Sequence, residues 1–166
     1  MIVFWLVWGL AGLLVLAYGA VILIGAPYLP TKKAQITDAL DLLDLQPGQV
    51  VVDLGCGDGS FLKAAAERGL RAVGYEVNPF LAAIAWGRTR RYGRLVKIKL
   101  GNFWRADLKT ADGMFVFLIG HHMRRLDKMI QKRGGARPLK LVSHAFKIPG
   151  KKAECQKGPL FLYRYR

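Results

Sequence analysis

The sequence predicts an α/β protein with an open, mostly parallel sheet, helices on both sheet faces and a C-terminal antiparallel hairpin, preceded by one transmembrane helix. Three observations support this prediction. Residues 2–24 form an uninterrupted apolar run. From residue 50 onward, short apolar segments alternate with helical segments, which is the pattern of parallel strands joined by crossover helices. The last two strand-like segments have no helix between them.

The apolar run is long enough to cross a bilayer. As a helix it would extend about 35 Å at about 1.5 Å per residue, and a bilayer core of about 30 Å needs around 20 apolar residues. Residues 1–30 contain no charged residue and no histidine. A signal peptide would carry basic residues ahead of a shorter apolar core, and a buried soluble helix is rarely apolar on every face. We therefore expect residues 1–26 to be a transmembrane anchor.

The residues on either side of the apolar run indicate how it would be oriented in a membrane. Trp5 and Trp8 near one end and Tyr28 near the other suit the headgroup regions. Lys32 and Lys33 follow the run, and positive charge stays on the cytoplasmic side. The expected location is therefore a single-pass membrane protein whose body faces the cytoplasm.

Residues 27–48 are expected to form a connector and a first helix. Pro27 and Pro30 interrupt the preceding helix, and Thr31 is a suitable N-cap for the next one. The apolar residues that follow recur at helical spacing until Gln46-Pro47-Gly48 ends the pattern.

Residues 49–166 predict the main domain. Its expected strands are residues 50–54, 72–75, 96–100, 113–119 and 139–145, with the fully apolar fourth strand at the centre of the sheet. The expected helices are residues 60–68, 79–91 and 122–132, and residues 153–156 and 159–165 form the closing hairpin. Ligands of such sheets bind beyond the carboxyl ends of the strands, near the change in strand order.

The net charge of +15 is unevenly distributed. Residues 31–87 carry five basic and seven acidic groups, a net of −2, whereas residues 88–166 carry 21 basic and four acidic groups, a net of +17. Such a field favours an anionic partner. An anionic membrane surface is the preferred partner for an anchored domain, and nucleic acid is the alternative.

Two cysteines and three histidines show no metal-ligand spacing, so the sequence predicts no metal site. The two cysteines, Cys56 and Cys155, are far apart in the sequence and do not suggest a disulfide framework.

The strongest chemical signal is the stretch DLGCGDG at residues 53–59. Its glycines are spaced more closely than in the dinucleotide-binding fingerprint, and the strand ends in Asp53, which would repel a pyrophosphate. A carboxylate there suits a positively charged amino-acid group. The next strand ends in Glu76, whose two oxygens can accept hydrogen bonds from both hydroxyls of a ribose. Acids at both strand ends, without a phosphate-binding lysine, predict S-adenosylmethionine as the ligand.

At this point the sequence resembles a known family. DLGCGDG together with GYEVNP at residues 74–79 is similar to the class I, Rossmann-like methyltransferases. With PYLPT at residues 27–31 and NFW at residues 102–104, it resembles more closely the membrane-anchored protein-lysine methyltransferases, which include the enzymes for the ATP-synthase c subunit and the adenine nucleotide translocase and their prokaryotic relatives. The resemblance extends over residues 27–118.

The resemblance implies a set of cofactor-binding residues. Asp53 would hold the methionine amino group, Glu76 the ribose and Asn102 the adenine amino group, although the family commonly has an acid where Asn102 stands. The other expected contacts come from the closing segment, the glycine loop and the residues that follow the second and third strands: Tyr28, Thr31, Gly55, Cys56, Gly57, Asp58, Gly59, Val77 and Phe103. No catalytic base is evident, and methyl transfer to an amine does not require one.

The resemblance also implies the activity. We expect a membrane-anchored methyltransferase that acts on a lysine of a membrane-associated protein. Two alternatives remain open at this point: an RNA methyltransferase that uses the basic C-terminal half, and a catalytically silent module that binds S-adenosylmethionine.

Overall fold

The computed structural model describes residues 1–24, 29–134 and 137–165, with the side chains of residues 13, 14 and 16–24 left out. Helix α1 spans Ile2–Ile24 and α2 spans Lys33–Leu43. The predicted helix cap at Thr31 is wrong by one residue, because Lys32 is the N-cap and its backbone N–H donates to Gln35 Oε1 at 3.3 Å.

In the part of the chain that is described in full, no helix is both long and apolar enough to cross a membrane. The predicted single-pass membrane location is therefore wrong. The predicted transmembrane anchor at residues 1–26 is not supported by the described residues, and its last two residues lie outside them.

The remaining elements alternate as the sequence predicts. The strands are β1 (Val50–Leu54), β2 (Arg71–Glu76), β3 (Val96–Leu100), β4 (Gly113–Val116), β5 (Leu139–His144), β6 (Cys155–Lys157) and β7 (Leu160–Tyr165). The helices between them are α3 (Ser60–Glu67), α4 (Pro79–Thr89) and α5 (Met123–Gln131), with short 3₁₀ turns at Arg90–Leu95, Phe103–Arg105 and Gly120–His122.

The strands form one seven-stranded sheet in the order β3-β2-β1-β4-β5-β7-β6. β1 to β5 are parallel, and β7 runs antiparallel to both β5 and β6. The predicted parallel sheet, its central fourth strand and its closing hairpin are thus confirmed. β4 ends at Val116, three residues earlier than predicted, because its partner β1 ends in register with it at Leu54.

Each face of the sheet is covered by its own apolar core. On one face, α5 places Leu126 and Ile130 in the cluster that includes Met114 of β4. On the other face, α2 and α3 pack on Val51 of β1 and Val142 of β5. Covering both faces leaves the carboxyl edge of the central strands as the place where polar side chains can meet a ligand.

Candidate functional site

The polar residues of the site lie where β1 and β2 end, beside β4. Asp53 of β1 is in register with Gly74 of β2 on one side and with Phe115 of β4 on the other. The strand order changes direction between β1 and β4. The site therefore lies at the position where sheets of this type bind their ligands.

The glycine loop after β1 is held by the end of β2. The backbone N–H groups of Gly55 and Cys56 both donate to Tyr75 O, at 2.9 and 3.0 Å. The N–H of Gly57 donates to Glu76 Oε2 at 2.8 Å. Gly55 has φ 89°, and a Cβ added there would meet nothing within 4 Å. The loop therefore presents open backbone beside the two acids.

Glu76 is buried and uses both carboxylate oxygens. Besides the bond to Gly57, its Oε1 accepts the Asn78 N–H at 2.9 Å. The Asn78 side chain in turn caps α4, because its Oδ1 accepts the Phe80 N–H at 2.9 Å. Each carboxylate oxygen has two lone-pair sites, so Glu76 retains the capacity to accept further hydrogen bonds.

Asp53 lies in a strongly unfavourable environment for a carboxylate. Its side chain is 4% exposed. Burial raises the pKa of Asp53 well above its usual range, and the negative charges of Glu76 and Asp58 raise it further. A cation placed beside Asp53 would stabilise its ionised form.

The pKa of Asp58 is shifted in the direction opposite to that of Asp53. Burial alone would raise its pKa, but hydrogen bonds from Ser60 and the charge of Arg88 outweigh that effect and hold the pKa of Asp58 below its usual range. The Ser60 N–H donates to Asp58 Oδ1 at 3.0 Å. Arg88 of α4 donates from Nη1 to both Asp58 Oδ2 and Ser60 Oγ. Asp58 thus joins the start of α3 to α4.

A cavity of about 250 Å³ adjoins these residues. Its lining includes the two acids and the glycine loop. The rest of the lining is largely apolar and rich in phenylalanine, and it includes Phe61, Phe103, Phe115, Phe117, Leu118, Ile119 and Phe146. Among the lining residues that the structure describes, none is a lysine, arginine or histidine.

The structure brings most of the predicted cofactor residues together around this cavity. The residues that line it are Thr31, Asp53, Gly55, Cys56, Gly57, Asp58, Glu76, Val77 and Phe103. Tyr28 lies outside the described residues. Cys56 is a packing residue, because its Sγ lies against Gly74 and burial, followed by the charges of Asp53 and Glu76, raises the pKa of its thiol.

Two predicted residues do not line the cavity. Gly59 has φ 77°, and a Cβ there would lie 2.9 Å from the Cβ of Ala85, so Gly59 permits α3 and α4 to approach closely. Asn102 is exposed, and its Oδ1 accepts the Trp104 N–H at 2.9 Å, so its side chain caps a 3₁₀ turn. Because that oxygen has a second lone pair, the adenine contact implied for Asn102 stays a prediction.

Sequence reasoning missed the apolar lining of the cavity. The sequence favours the core for Phe115 and Phe117, and the structure shows Phe115 both in the core and in the cavity wall. Ile119 was predicted inside the fourth strand but lies beyond its observed end, and Phe146 carried no sequence signal because it follows β5 in an irregular segment. Asn78 could have been found from its position two residues after Glu76.

Across residues 1–24, 29–134 and 137–165, no group of three or more His, Cys, Asp or Glu side chains is arranged to hold a metal ion.

Comparisons with known proteins agree with the geometry. Residues 53–155 match the family described as the ANTKMT methyltransferase domain. The adenine nucleotide translocase lysine N-methyltransferase of Mus musculus is 34% identical over 128 residues, covering 74% of this chain and 54% of that protein. The protein-lysine N-methyltransferase of Saccharolobus islandicus is 30% identical over 130 residues, covering 75% of this chain and 79% of that protein.

The fold of this chain is also similar to that of a solved structure. The RNA methyltransferase of Salinibacter ruber, in complex with S-adenosyl-L-homocysteine, has a TM-score of 0.72 and 27% identity, covering 82% of this chain and 92% of that chain. The chain spans about half the length of the vertebrate relatives that it matches. The chain is thus similar both to proteins named for lysine methylation and to a structure named for RNA methylation.

Proposed function

The chain belongs to the family of the ANTKMT methyltransferase domain, and from that premise we propose that it transfers a methyl group from S-adenosylmethionine to a lysine side chain of a protein. The observation that carries the proposal is the mixed lining of the cavity. The buried acids Asp53 and Glu76 and the glycine loop line it together with several phenylalanine side chains. Such a cavity suits a polar, cationic cofactor beside the acids and an alkyl amine against the apolar side chains.

The residues around Asp53 and Glu76 fit S-adenosylmethionine. Asp53 would bind the methionine amino group, because a cation relieves the repulsion that raises the Asp53 pKa. Glu76 would accept the ribose hydroxyls with its remaining lone pairs. The open backbone at Gly55 permits close approach, and Phe103 offers an aromatic face to the adenine. The described lining contains no basic side chain for a phosphate, which favours this cofactor over a dinucleotide.

When bound, S-adenosylmethionine supplies an electrophilic methyl group on a positively charged sulfur. The protein's contribution is to align the acceptor amine and to keep it uncharged. From a reference pKa of about 10.4, deprotonating a lysine at pH 7 costs about 4.6 kcal/mol. The apolar wall formed by Phe117, Ile119 and Phe146 lowers the pKa of an amine that enters it, because burial disfavours the charged form.

The relatives support lysine as the acceptor. Two proteins matched over more than half of this chain are named as lysine methyltransferases. The finer proposal is that the substrate protein lies at an anionic membrane surface. Its support is the net charge of +17 over residues 88–166, since basic groups near anionic headgroups contribute about 1 kcal/mol each.

RNA is the second candidate substrate. The same basic half would suit phosphate groups, and the Salinibacter ruber relative in fold is named as an RNA methyltransferase. The apolar part of the lining favours the amine over a nucleobase, since Phe117, Ile119 and Phe146 carry no donor or acceptor to read a base edge.

The test uses the purified protein with S-adenosylmethionine labelled in its methyl group. The protein is incubated with membrane proteins, with soluble proteins and with total RNA from the same cells. We expect label in proteins, recovered as methyl-lysine after acid hydrolysis and enriched in the membrane fraction. Label confined to nuclease-sensitive material would overturn the lysine proposal in favour of RNA. Enrichment among soluble proteins would overturn only the finer proposal.

A further inference from the structure

The end of β5 places a histidine on the same face of the sheet as the cofactor acids. Asp53, Phe115 and Val142 are neighbours in register across β1, β4 and β5. Side chains of a strand alternate between its two faces, so His144, two residues after Val142, lies on the same face. The His144 ring contacts the ring of Phe117 edge-on, with centroids 4.1 Å apart. Because Phe117 lines the cavity, His144 lies directly behind the cavity's apolar wall.

His144 is buried without a hydrogen-bond partner. Its side chain is 7% exposed, and neither Nδ1 nor Nε2 has a partner within the described part of the chain. A neutral imidazole has one donor and one acceptor nitrogen. Buried polar groups are usually paired, and an exception calls for a functional or structural explanation. Burial lowers the pKa of His144, so the ring is neutral at physiological pH.

The residues after His144 form a strained turn. Ala145 has φ 68°, which residues other than glycine rarely adopt. The Phe146 N–H donates to His144 O at 2.9 Å, and the Ser143 hydroxyl donates to Phe146 O at 2.5 Å. This turn brings the ring of Phe146, which is 38% exposed, to the cavity. The Phe117 ring therefore packs on His144, and Phe146, two residues further along the chain, also lines the cavity.

We propose that His144 is a substrate-contacting residue: the acceptor amine enters between Phe117 and Phe146 and donates a hydrogen bond to the neutral imidazole. The unpaired acceptor nitrogen, its burial behind the apolar wall and the exposed position of Phe146 carry this inference. It rests on the proposed function only in taking an alkyl amine as the acceptor. The hydrogen bond orients the amine.

The imidazole acts as a hydrogen-bond acceptor and not as the base. A lysine ammonium has a reference pKa of about 10.4 and a histidine about 6.5, a difference of about four units. The lowered pKa of His144 widens that difference. Proton transfer to the ring is therefore unfavourable by more than about 10³-fold, whereas a hydrogen bond from the ammonium or the amine requires only a neutral ring.

The first experiment uses the unaltered protein and does not depend on turnover. The protein is labelled with ¹⁵N in its histidine rings, saturated with S-adenosylhomocysteine and titrated with n-butylammonium, a mimic of the lysine side chain. We expect a saturable shift of the accepting ring nitrogen of His144, with the rings of His121 and His122 unchanged. A titration that leaves the His144 signals unchanged, or shifts all three rings together, would overturn the proposal.

Variants of His144 then distinguish a direct contact with the amine from a role in packing. In His144→Leu, we expect the affinity for butylammonium to fall at least fivefold while the melting temperature holds or rises, because two unpaired polar atoms are removed. His144→Gln retains an acceptor and should stay within about twofold of the unaltered protein. His122→Leu is the matched control and should bind butylammonium normally. Equal affinity in His144→Leu and the unaltered protein would overturn the proposal.

The two proposals fail in different ways. If S-adenosylhomocysteine does not bind in a calorimetric titration, the proposed function is wrong. If it binds and butylammonium binds without involving His144, the proposed function stands and the role of His144 is wrong.

Discussion

The Gly57 N–H and the Glu76 carboxylate are joined by a hydrogen bond of 2.8 Å, so the acid that ends β2 closes the glycine loop that follows β1. The same carboxylate also receives the Asn78 N–H at 2.9 Å. One side chain therefore shapes the loop and offers its remaining lone pairs to a ligand. Substitutions at Glu76 should affect stability and binding together.

Glu76→Gln should weaken binding of S-adenosylhomocysteine at least tenfold. The amide has one oxygen for two N–H donors and turns an NH₂ group toward one of them, leaving a buried donor unpaired at about 1–3 kcal/mol. Calorimetry measures the affinity, and denaturant unfolding measures the stability. Glu67→Gln, on the exposed side of α3, is the control and should change neither. Lower stability with unaltered affinity would remove Glu76 from the ribose-binding role.

Asp53→Asn should stabilise the ligand-free protein at pH 7 and weaken ligand binding tenfold or more. The neutral amide removes the repulsion from Glu76 and Asp58 but also removes the charge proposed to bind the methionine amino group. Thermal unfolding and calorimetry on the same samples measure the two effects. Asp41→Asn at the surface is the control. A variant that loses stability and keeps its affinity would contradict the proposed role.

The raised pKa of Asp53 also predicts two pH dependences. Because the folded pKa lies above the unfolded value, the ligand-free protein should lose stability as pH rises through the folded pKa, and Asp53→Asn should not. The cationic ligand favours ionised Asp53, so binding should release protons in the pH range from the usual aspartate pKa upward. Calorimetry in buffers of different ionisation enthalpy detects that release. No release by the unaltered protein in that range would contradict the contact.

Gly59→Ala should destabilise the protein by about 1–3 kcal/mol. Its φ of 77° disfavours a side chain, and the new Cβ would lie 2.9 Å from Ala85 Cβ. Gly87→Ala is the matched control, since Gly87 lies within α4 and a Cβ there meets nothing within 4 Å. The control should gain up to about 1 kcal/mol from helix propensity. Denaturant unfolding measures the free energy of unfolding of both variants. Equal changes would show that the close approach of α3 and α4 does not restrict the residue at position 59.

Arg88→Ala should lower the free energy of unfolding by about 1 kcal/mol, since a partly exposed charged hydrogen bond contributes on that order. Arg88 holds the pKa of Asp58 down, so this stabilisation is present above the unfolded pKa of an aspartate and is lost as pH falls through the folded pKa. The difference between the two proteins should therefore shrink in acid. Arg91→Ala, in a more exposed pair with Glu67, should show no such difference.

The sequence alone predicted the order of strands and helices, because strand and helix periodicities are local and glycine and proline mark the boundaries. It also predicted the pairing of Asp53 with Glu76 at one edge, since parallel strands end on the same side of a sheet. The apolar segment at residues 2–24 shows the limit of the same reasoning. Its composition predicted a membrane span that the described structure does not provide.

The tertiary structure decided what depends on contacts between distant segments. The raised pKa of Asp53 follows from burial beneath α2 and α3 and from two acids brought near it by the sheet. Asn102 carries the polar group that the sequence led us to expect at the adenine, yet a local backbone bond uses that group as a cap. The apolar wall of the cavity joins Phe117, which packs on His144, with Phe146 from a second loop, and no sequence pattern records the positions of these loops. Local periodicity determines the elements, whereas packing between elements determines which polar groups are paired and which remain free to bind.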